Sequence, residues 1–234
     1  LFYLEHNRAC RRAPSMEKGV FMSAPRLPVL LIHGIDDTAK IFQTLVNSLS
    51  DRGWPEVHAI DLVPSNGDIG LDELAAQIQA YVEANLPAPQ QFDLVGFSMG
   101  GIVSRYYLQR LGGLERVRHF VTLSSPHNGT WTGYLRSNPG ARQMRPKSEF
   151  LQDLNSTVDD LTQVEFTSVW TPFDLMIVPA NSSELPVGTM MQLPVLAHPW
   201  MVSDPRAIAT LADLLGHELD ESTKQVTPNA ELSA

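Results

Sequence analysis

The residues best placed to do chemistry are Gly96-Phe97-Ser98-Met99-Gly100, because of what stands on either side of them. The apolar run Phe92-Asp93-Leu94-Val95 reads as a buried strand, and Gly101 to Leu108 reads as a helix. A Gly-x-Ser-x-Gly turn between a strand and a helix is a nucleophile elbow. The turn is tight enough to strain the serine backbone, and its neighbours must be small to clear the strand and the helix. Oγ is thereby lifted out of the sheet to a helix N-terminus, where partial positive charge favours a developing anion. The chemistry implied is nucleophilic attack on an acyl carbon.

A serine hydroxyl is a weak nucleophile until a base takes its proton, and the base needs an acid to orient it. In a strand–elbow–helix topology the chain order is serine, acid, histidine. Two histidines follow candidate acids, His198 and His217. His198 lies in Leu196-Ala197-His198-Pro199-Trp200, a loop between the last strand signal and the final helix, and is preferred as base. His217 ends the final helix, where a partly exposed structural role is the ordinary reading. Asp174, in Thr171-Pro172-Phe173-Asp174 just past a buried strand, is the preferred acid, with Glu184 in reserve. A turn-forming role is the usual one for a loop aspartate, and the strand-end position outweighs it here. Asp153, Asp159 and Asp160 read as solvated charges or helix caps.

The tetrahedral oxyanion needs donors as well. The backbone N–H of Met99 is one, and the N–H of Ile35, in His33-Gly34-Ile35 after the first strand, is the expected second. Asp36, Asp37 and Thr38 read as N-capping residues of the next helix. His33 and His127 precede every candidate acid and read as braces for their loops. No His-Glu-x-x-His pattern is present and the remaining histidines are scattered, so no metal site is expected.

These residues need a scaffold that gathers them. From Pro28 onward short apolar runs alternate with helical patterns. Strands are expected at Val29–Ile32, Val57–Ile60, the elbow strand, His119–Leu123, Phe166–Trp170 and Thr189–Leu193. Helices are expected at Ala39–Leu49, Leu71–Leu86, after Ser98, and at Pro205–Leu215. Strands separated by helices make an α/β fold, a mostly parallel central sheet of about six strands covered on both faces. Right-handed crossovers then bring the strand ends carrying His33-Gly34, Ser98, Ser124-Ser125 and Asp174 to one rim. Between residues 129 and 165 the alternation breaks into a polar stretch with Arg136, Arg142, Arg145 and Lys147 and two or three helical turns. A long insertion in a compact domain is usually functional, so this one is expected to cap the rim.

The chain has 234 residues, 43% of them hydrophobic, enough for one domain with a substantial core, placed at residues 28–219. Residues 1–27 hold Arg8, Arg11, Arg12, Lys18 and Arg26 against Glu5 and Glu17, lack a signal-peptide apolar stretch, and read as a basic tail. Residues 220–234 read as a polar tail. A net charge of −9 argues against a nucleic-acid surface. The single cysteine, Cys10, excludes an intramolecular disulfide and a cysteine metal cluster. No apolar run has the length of a transmembrane helix. A soluble monomer is expected, cytoplasmic or secreted with its leader removed.

Taken together, the motifs resemble the α/β-hydrolase superfamily, and within it the bacterial lipases and esterases. The matching elements are His33-Gly34-Ile35, Gly96 to Gly101, Ser125-Pro126-His127-Asn128-Gly129-Thr130, Asp174 to Pro179, and His198 ahead of Val202-Ser203-Asp204-Pro205. The resemblance covers about residues 28–216 and departs from many relatives at Asp36-Asp37, where they continue with glycines. It implies a cofactor-free ester hydrolase with Ser98 as nucleophile, His198 as base, Asp174 as acid, and Ile35 and Met99 as oxyanion hole. The implied substrate is a small-molecule or lipid ester, met through transient contact with a lipid interface. An acyltransferase or thioesterase would use the same triad, and a non-catalytic binding protein of the same fold is the remote alternative.

Overall fold

The structure, a computed structural model, describes residues 26–216. One parallel sheet runs in the order β2-β1-β3-β4-β5-β6. Its strands are β1 Val29–Ile32, β2 Val57–Ile60, β3 Phe92–Phe97, β4 Val117–Leu123, β5 Glu165–Trp170 and β6 Thr189–Gln192. The helices are α1 Gln43–Asp51, α2 Leu71–Asn85, α3 Met99–Arg110, α4 Pro139–Gln143, α5 Glu149–Ser156 and α6 Pro205–Gly216. The expected α/β class and six parallel strands are what the chain forms. Among the described residues, no helix is long and apolar enough to cross a membrane.

Every residue of β1 and β3 is buried, as strands covered on both faces require. Alternation splits their side chains between two cores. Leu30, Ile32 and Leu94 pack with Leu74 and Ile78 of α2 and Ile102 of α3. Val29, Leu31 and Val95 face Leu45 of α1 and Ile208 and Leu211 of α6 on the other side. Asp93, the one charged residue of β3, is fully buried and is held by Arg118 at 2.8 and 3.1 Å and by the His119 N–H at 3.2 Å. This cluster sits at the start of the strands, away from the rim that matters for chemistry.

The strand order reverses between β1 and β3, since β2 lies on the outer side of β1. Ligands of open parallel sheets bind at such a switch point, beyond the strand C-termini. The loop after β1 and the turn after β3 meet there, with Ile32 level with Gly96 in the register.

Two local expectations need correction. The helix expected from Ala39 begins as a 3-10 turn, Ala39–Phe42, and the side chains of Asp36, Asp37 and Thr38 do not cap it. The Ala39 N–H is instead accepted by Asp61 Oδ1 at 2.6 Å, from the loop after β2. Asp36 takes a left-handed φ of 61° and turns the chain before the helix starts. The insertion holds four short helical pieces, not two or three: α4, α5 and 3-10 turns at Trp131–Leu135 and Val158–Gln163. Ser148 starts α5 by accepting the Leu151 N–H on Oγ at 3.2 Å.

The insertion is fastened to the helix that follows the serine. Arg105 of α3 is fully buried and donates to Leu154 O at 3.1 Å. Its burial, with Arg110 nearby, pushes its guanidinium down to about 9. Gln109 donates to Leu154 O at 2.8 Å and Thr157 O at 2.9 Å, and Arg110 pairs with Asp153 at 2.9 Å.

The seating of α3 on β1 is testable. A Cβ on Gly100 would lie 2.2 Å from Ile32 O and 2.5 Å from His33 O, backbone atoms that no rotamer change can move. Gly100→Ala is expected to cost about 3 kcal/mol or more in urea denaturation, at the upper end for overpacking. Gly216→Ala, which would meet nothing within 4 Å among the described residues, is the control and should be within about 0.5 kcal/mol of the parent.

Candidate active site

Ser98 has φ 54° and ψ −124°, a backbone conformation that side chains seldom adopt, and it stands as the residue before α3. Its N–H donates to Leu123 O at 2.9 Å, which ties the turn to the end of β4. The glycines around it are there for space. A Cβ on Gly96 would lie 2.4 Å from Gly101 Cα, and one on Gly101 would lie 2.0 Å from Ser125 Oγ. Gly34, across the switch point, would place a Cβ 3.0 Å from Ser98 Cβ and 3.5 Å from Ser98 Oγ. Its φ is not left-handed, so close approach, and not turning, is what requires glycine there.

His198 opens a 3-10 turn, His198–Val202, with Pro199 at its start, and is 6% exposed. Its ring packs on Phe97, the residue before Ser98, with centroids 4.8 Å apart. Nδ1 donates to Asp174 Oδ2 at 2.7 Å, so this carboxylate orients the imidazole from the side away from Nε2. Ser98 Oγ is not hydrogen-bonded to His198 here, and such contacts often tighten only around substrate.

Asp174 is buried four residues past β5 and its second oxygen is fully used. Oδ1 accepts the Met176 N–H at 2.9 Å and the Ile177 N–H at 2.8 Å. Burial pushes its carboxyl up, but the His198 hydrogen bond and charge and the two backbone donors outweigh that and hold it below the usual range.

The N–H groups of Ile35 and Met99 donate to no acceptor among the described residues, whereas that of Asp36 is taken by Ser65 O at 2.9 Å. Two free donors thus flank the serine, one from each side of the switch point. The neighbouring histidines act as braces. His33, fully buried, donates from Nδ1 to Gly34 O at 2.8 Å and accepts the Leu62 N–H on Nε2 at 3.0 Å. His127 is bonded through Nε2 to Thr122 Oγ1 at 3.0 Å; burial, with Arg105 adding to it, pushes its ring well below the usual histidine range. Glu184 does not approach His198; its backbone carbonyl accepts Asn128 Nδ2 at 2.7 Å. His217 lies outside the described residues.

Asp37 was not legible from sequence as part of this site. Its carboxylate is half-buried, Oδ2 lies 3.0 Å from the point where a Gly34 Cβ would be, and it feels the charge of both His33 and His198. Asp36 turns the other way and pairs with Arg136 of the insertion. That ion pair, with Asn138 Nδ2 donating to Asn66 O at 2.7 Å, joins the insertion to the loops after β1 and β2. A cavity of about 750 Å³ beside the insertion is lined by Asn128, Trp131, Lys147, Asn155 and Ser182, among others, and by none of Ser98, Asp174 and His198.

The large apolar side chains that remain exposed lie on loops after the strands. They are Val63 after β2, Trp131, Tyr134 and Leu135 after β4, Phe173, Leu175, Met176 and Val178 after β5, and Leu196 and Trp200 after β6.

A six-stranded parallel sheet with a strained serine at its switch point is the α/β-hydrolase fold, which this chain shares with solved lipases. Among known proteins it is similar to esterases, lipases and thioesterases of the α/β-hydrolase superfamily. Residues 28–139 match the family model described as palmitoyl protein thioesterase. The human lysosomal thioesterase PPT2 is 33% identical over 116 residues, 47% of this chain and 37% of that protein. A triacylglycerol lipase of Burkholderia plantarii is 30% identical over 116 residues, 46% of this chain and 32% of that protein. The matched stretch is therefore about a third of those relatives' length. In structure, the mature lipase BlEst2 of Bacillus licheniformis superposes with a TM-score of 0.68 at 16% identity, over 82% of this chain and 93% of that one. Lipase B of Aspergillus fumigatus gives 0.71 at 17% identity, over 82% of this chain and 53% of that one. The family-model match ends at residue 139, before Asp174 and His198.

The held-down Asp174 carboxyl has a thermodynamic consequence. A depressed folded-state pKa adds stability above the unfolded value that is lost as pH falls through the folded one. The stability lead of the parent over Asp174→Asn is expected to be full at pH 7 and to shrink below about pH 4. Urea denaturation of both proteins from pH 7 down to pH 3 measures it; a lead independent of pH would contradict the assignment.

Proposed function

We propose that this chain is a serine hydrolase of acyl esters, with Ser98 as nucleophile, His198 as base, Asp174 as acid, and the N–H groups of Ile35 and Met99 as oxyanion hole. The observation that carries the reading is the 2.7 Å Asp174–His198 hydrogen bond beside Phe97, which brings an oriented imidazole against the elbow. Ser98 Oγ attacks the carbonyl carbon while His198 Nε2 takes its proton. The oxyanion accepts hydrogen bonds from Ile35 and Met99. Collapse expels the alcohol, protonated by His198, and leaves an acyl-serine. Water, deprotonated by the same histidine, releases the acid and restores Ser98.

The apolar rim favours an acyl chain or lipid as the substrate's bulk, since exposed apolar surface gathered at one place marks a contact site. The insertion, tied to Asp36 and to α3, is proposed as a fixed wall of that rim. The match to the palmitoyl thioesterase model favours a second reading, in which the leaving group is a thiol. Both readings use the same residues.

p-Nitrophenyl esters from C2 to C16, run with palmitoyl-CoA and an S-palmitoyl peptide, test and separate them. Ser98→Ala and His198→Ala are each expected to lose about 10³-fold or more in kcat. Equal rates for the parent and Ser98→Ala would sink the hydrolase reading. Preference for the thioesters at equal chain length would favour the thiol leaving group. The rim gives an independent test. Leu175→Ser, at a side chain 84% exposed, is expected to lower kcat/KM for C12–C16 esters several-fold and leave C4 unchanged within about twofold. Equal effects on both would remove the rim from substrate binding.

A further inference from the structure

We propose that Asp37 is a specificity-determining residue: its carboxylate favours substrates with a cationic group near the scissile carbonyl and turns away those with an anionic one. The inference rests on Ser98 being the nucleophile, as proposed above.

Its ground is the space left by Gly34. The point where a methyl group on Gly34 would sit is 3.0 Å from Asp37 Oδ2, 3.0 Å from Ser98 Cβ and 3.5 Å from Ser98 Oγ. The carboxylate and the serine side chain thus both border one methyl-sized volume beside Gly34. The carbon that Ser98 attacks lies next to Ser98 Oγ, so its substituents come within reach of the Asp37 charge.

The two neighbouring acids have opposite fates. Asp36 is left-handed at φ 61°, turns outward and is neutralised by Arg136. The Asp37 carboxylate accepts no hydrogen bond and has no ion-pair partner among the described residues, although it is half-buried. An unanswered carboxylate in a half-dry site is the condition under which a substrate charge is felt. Burial pushes its carboxyl up and Asp36 adds to this, while His33 and His198 oppose it. Asp37 is not needed to orient the base, because His198 Nδ1 already has Asp174. What Asp37 adds is a fixed negative charge beside the reacting carbon. At separations of about 6 Å and an effective dielectric near 20 to 40, such a charge changes the ratio of cationic to anionic substrate by about tenfold or more.

Three thioesters of one acid, differing only in leaving-group charge, read this out. They are butyrylthiocholine, its neutral carbon isostere, and S-butyryl-3-mercaptopropionate, followed by thiol release at about pH 8, where the carboxylates are ionised. The parent is expected to give kcat/KM in the order cation, neutral, anion, with about tenfold or more between the extremes. Asp37→Asn, a near-isosteric neutral change, should shrink that spread to about threefold or less, and Asp37→Glu should keep the order. The ratio is the readout, so a general change in rate does not mimic it. Equal kcat/KM values in the parent, or an Asp37→Asn protein that keeps the parent's spread, would overturn the inference. No Ser98-dependent turnover of any of the three would overturn the nucleophile assignment itself, and the role of Asp37 with it.

Discussion

Ser98 is held at φ 54° and ψ −124°, and much of the molecule is arranged so that this costly conformation persists. Its N–H is taken by Leu123 O at the end of β4. The helix that follows is pressed against β1 so closely that Gly100 has no room for a methyl group, and against Ser125 so closely that Gly101 has none. Three parallel strands, β1, β3 and β4, are thus locked to one turn. The loop carrying Ile35 and the loop carrying Ser125 then fall beside the serine as a consequence of the same packing, with no separate device to place them.

Much of this could be read from residue types and spacing. The strands of the sheet, the elbow, and the placement of Asp174 and His198 on one rim all follow from local signals: apolar runs, a small-residue turn, and strand ends. What escaped was set by pairings across large sequence distances. The cap of the first helix is Asp61, more than twenty residues from the N–H it accepts, so Asp36, Asp37 and Thr38 offered a nearer and incorrect solution. The opposite directions of Asp36 and Asp37 depend on a left-handed residue and on Arg136, a hundred residues away. Asp93 sits within the apolar run of the elbow strand, and in the sheet it is the anchor for Arg118 and His119. No spacing rule within one element encodes contacts of this kind.

The insertion illustrates how charge and packing divide their work. Its basic residues stand close together in the sequence, yet they do different things. Arg136 answers Asp36, while Arg145 donates to Gly133 O at 3.0 Å and lies over the Tyr134 ring. Part of the basic charge is therefore internal mortar. The buried Arg105–Leu154 contact extends the same logic to α3, so that the helix behind the serine and the wall beside it form one body.

The proposed base is attached very differently from the proposed nucleophile. His198 follows β6, a four-residue strand at the edge of the sheet that pairs with β5 alone and has no fully buried position. Edge elements with few buried contacts open locally at a small fraction of the free energy needed to unfold the whole. The serine follows a strand with every residue buried, and the histidine follows a strand with none buried. Under mild heat or denaturant the two therefore part company first by fraying from one side, leaving an intact elbow without its proton acceptor. In such a molecule the proposed catalysis is expected to fail before the fold does, reversibly for as long as the central strands hold.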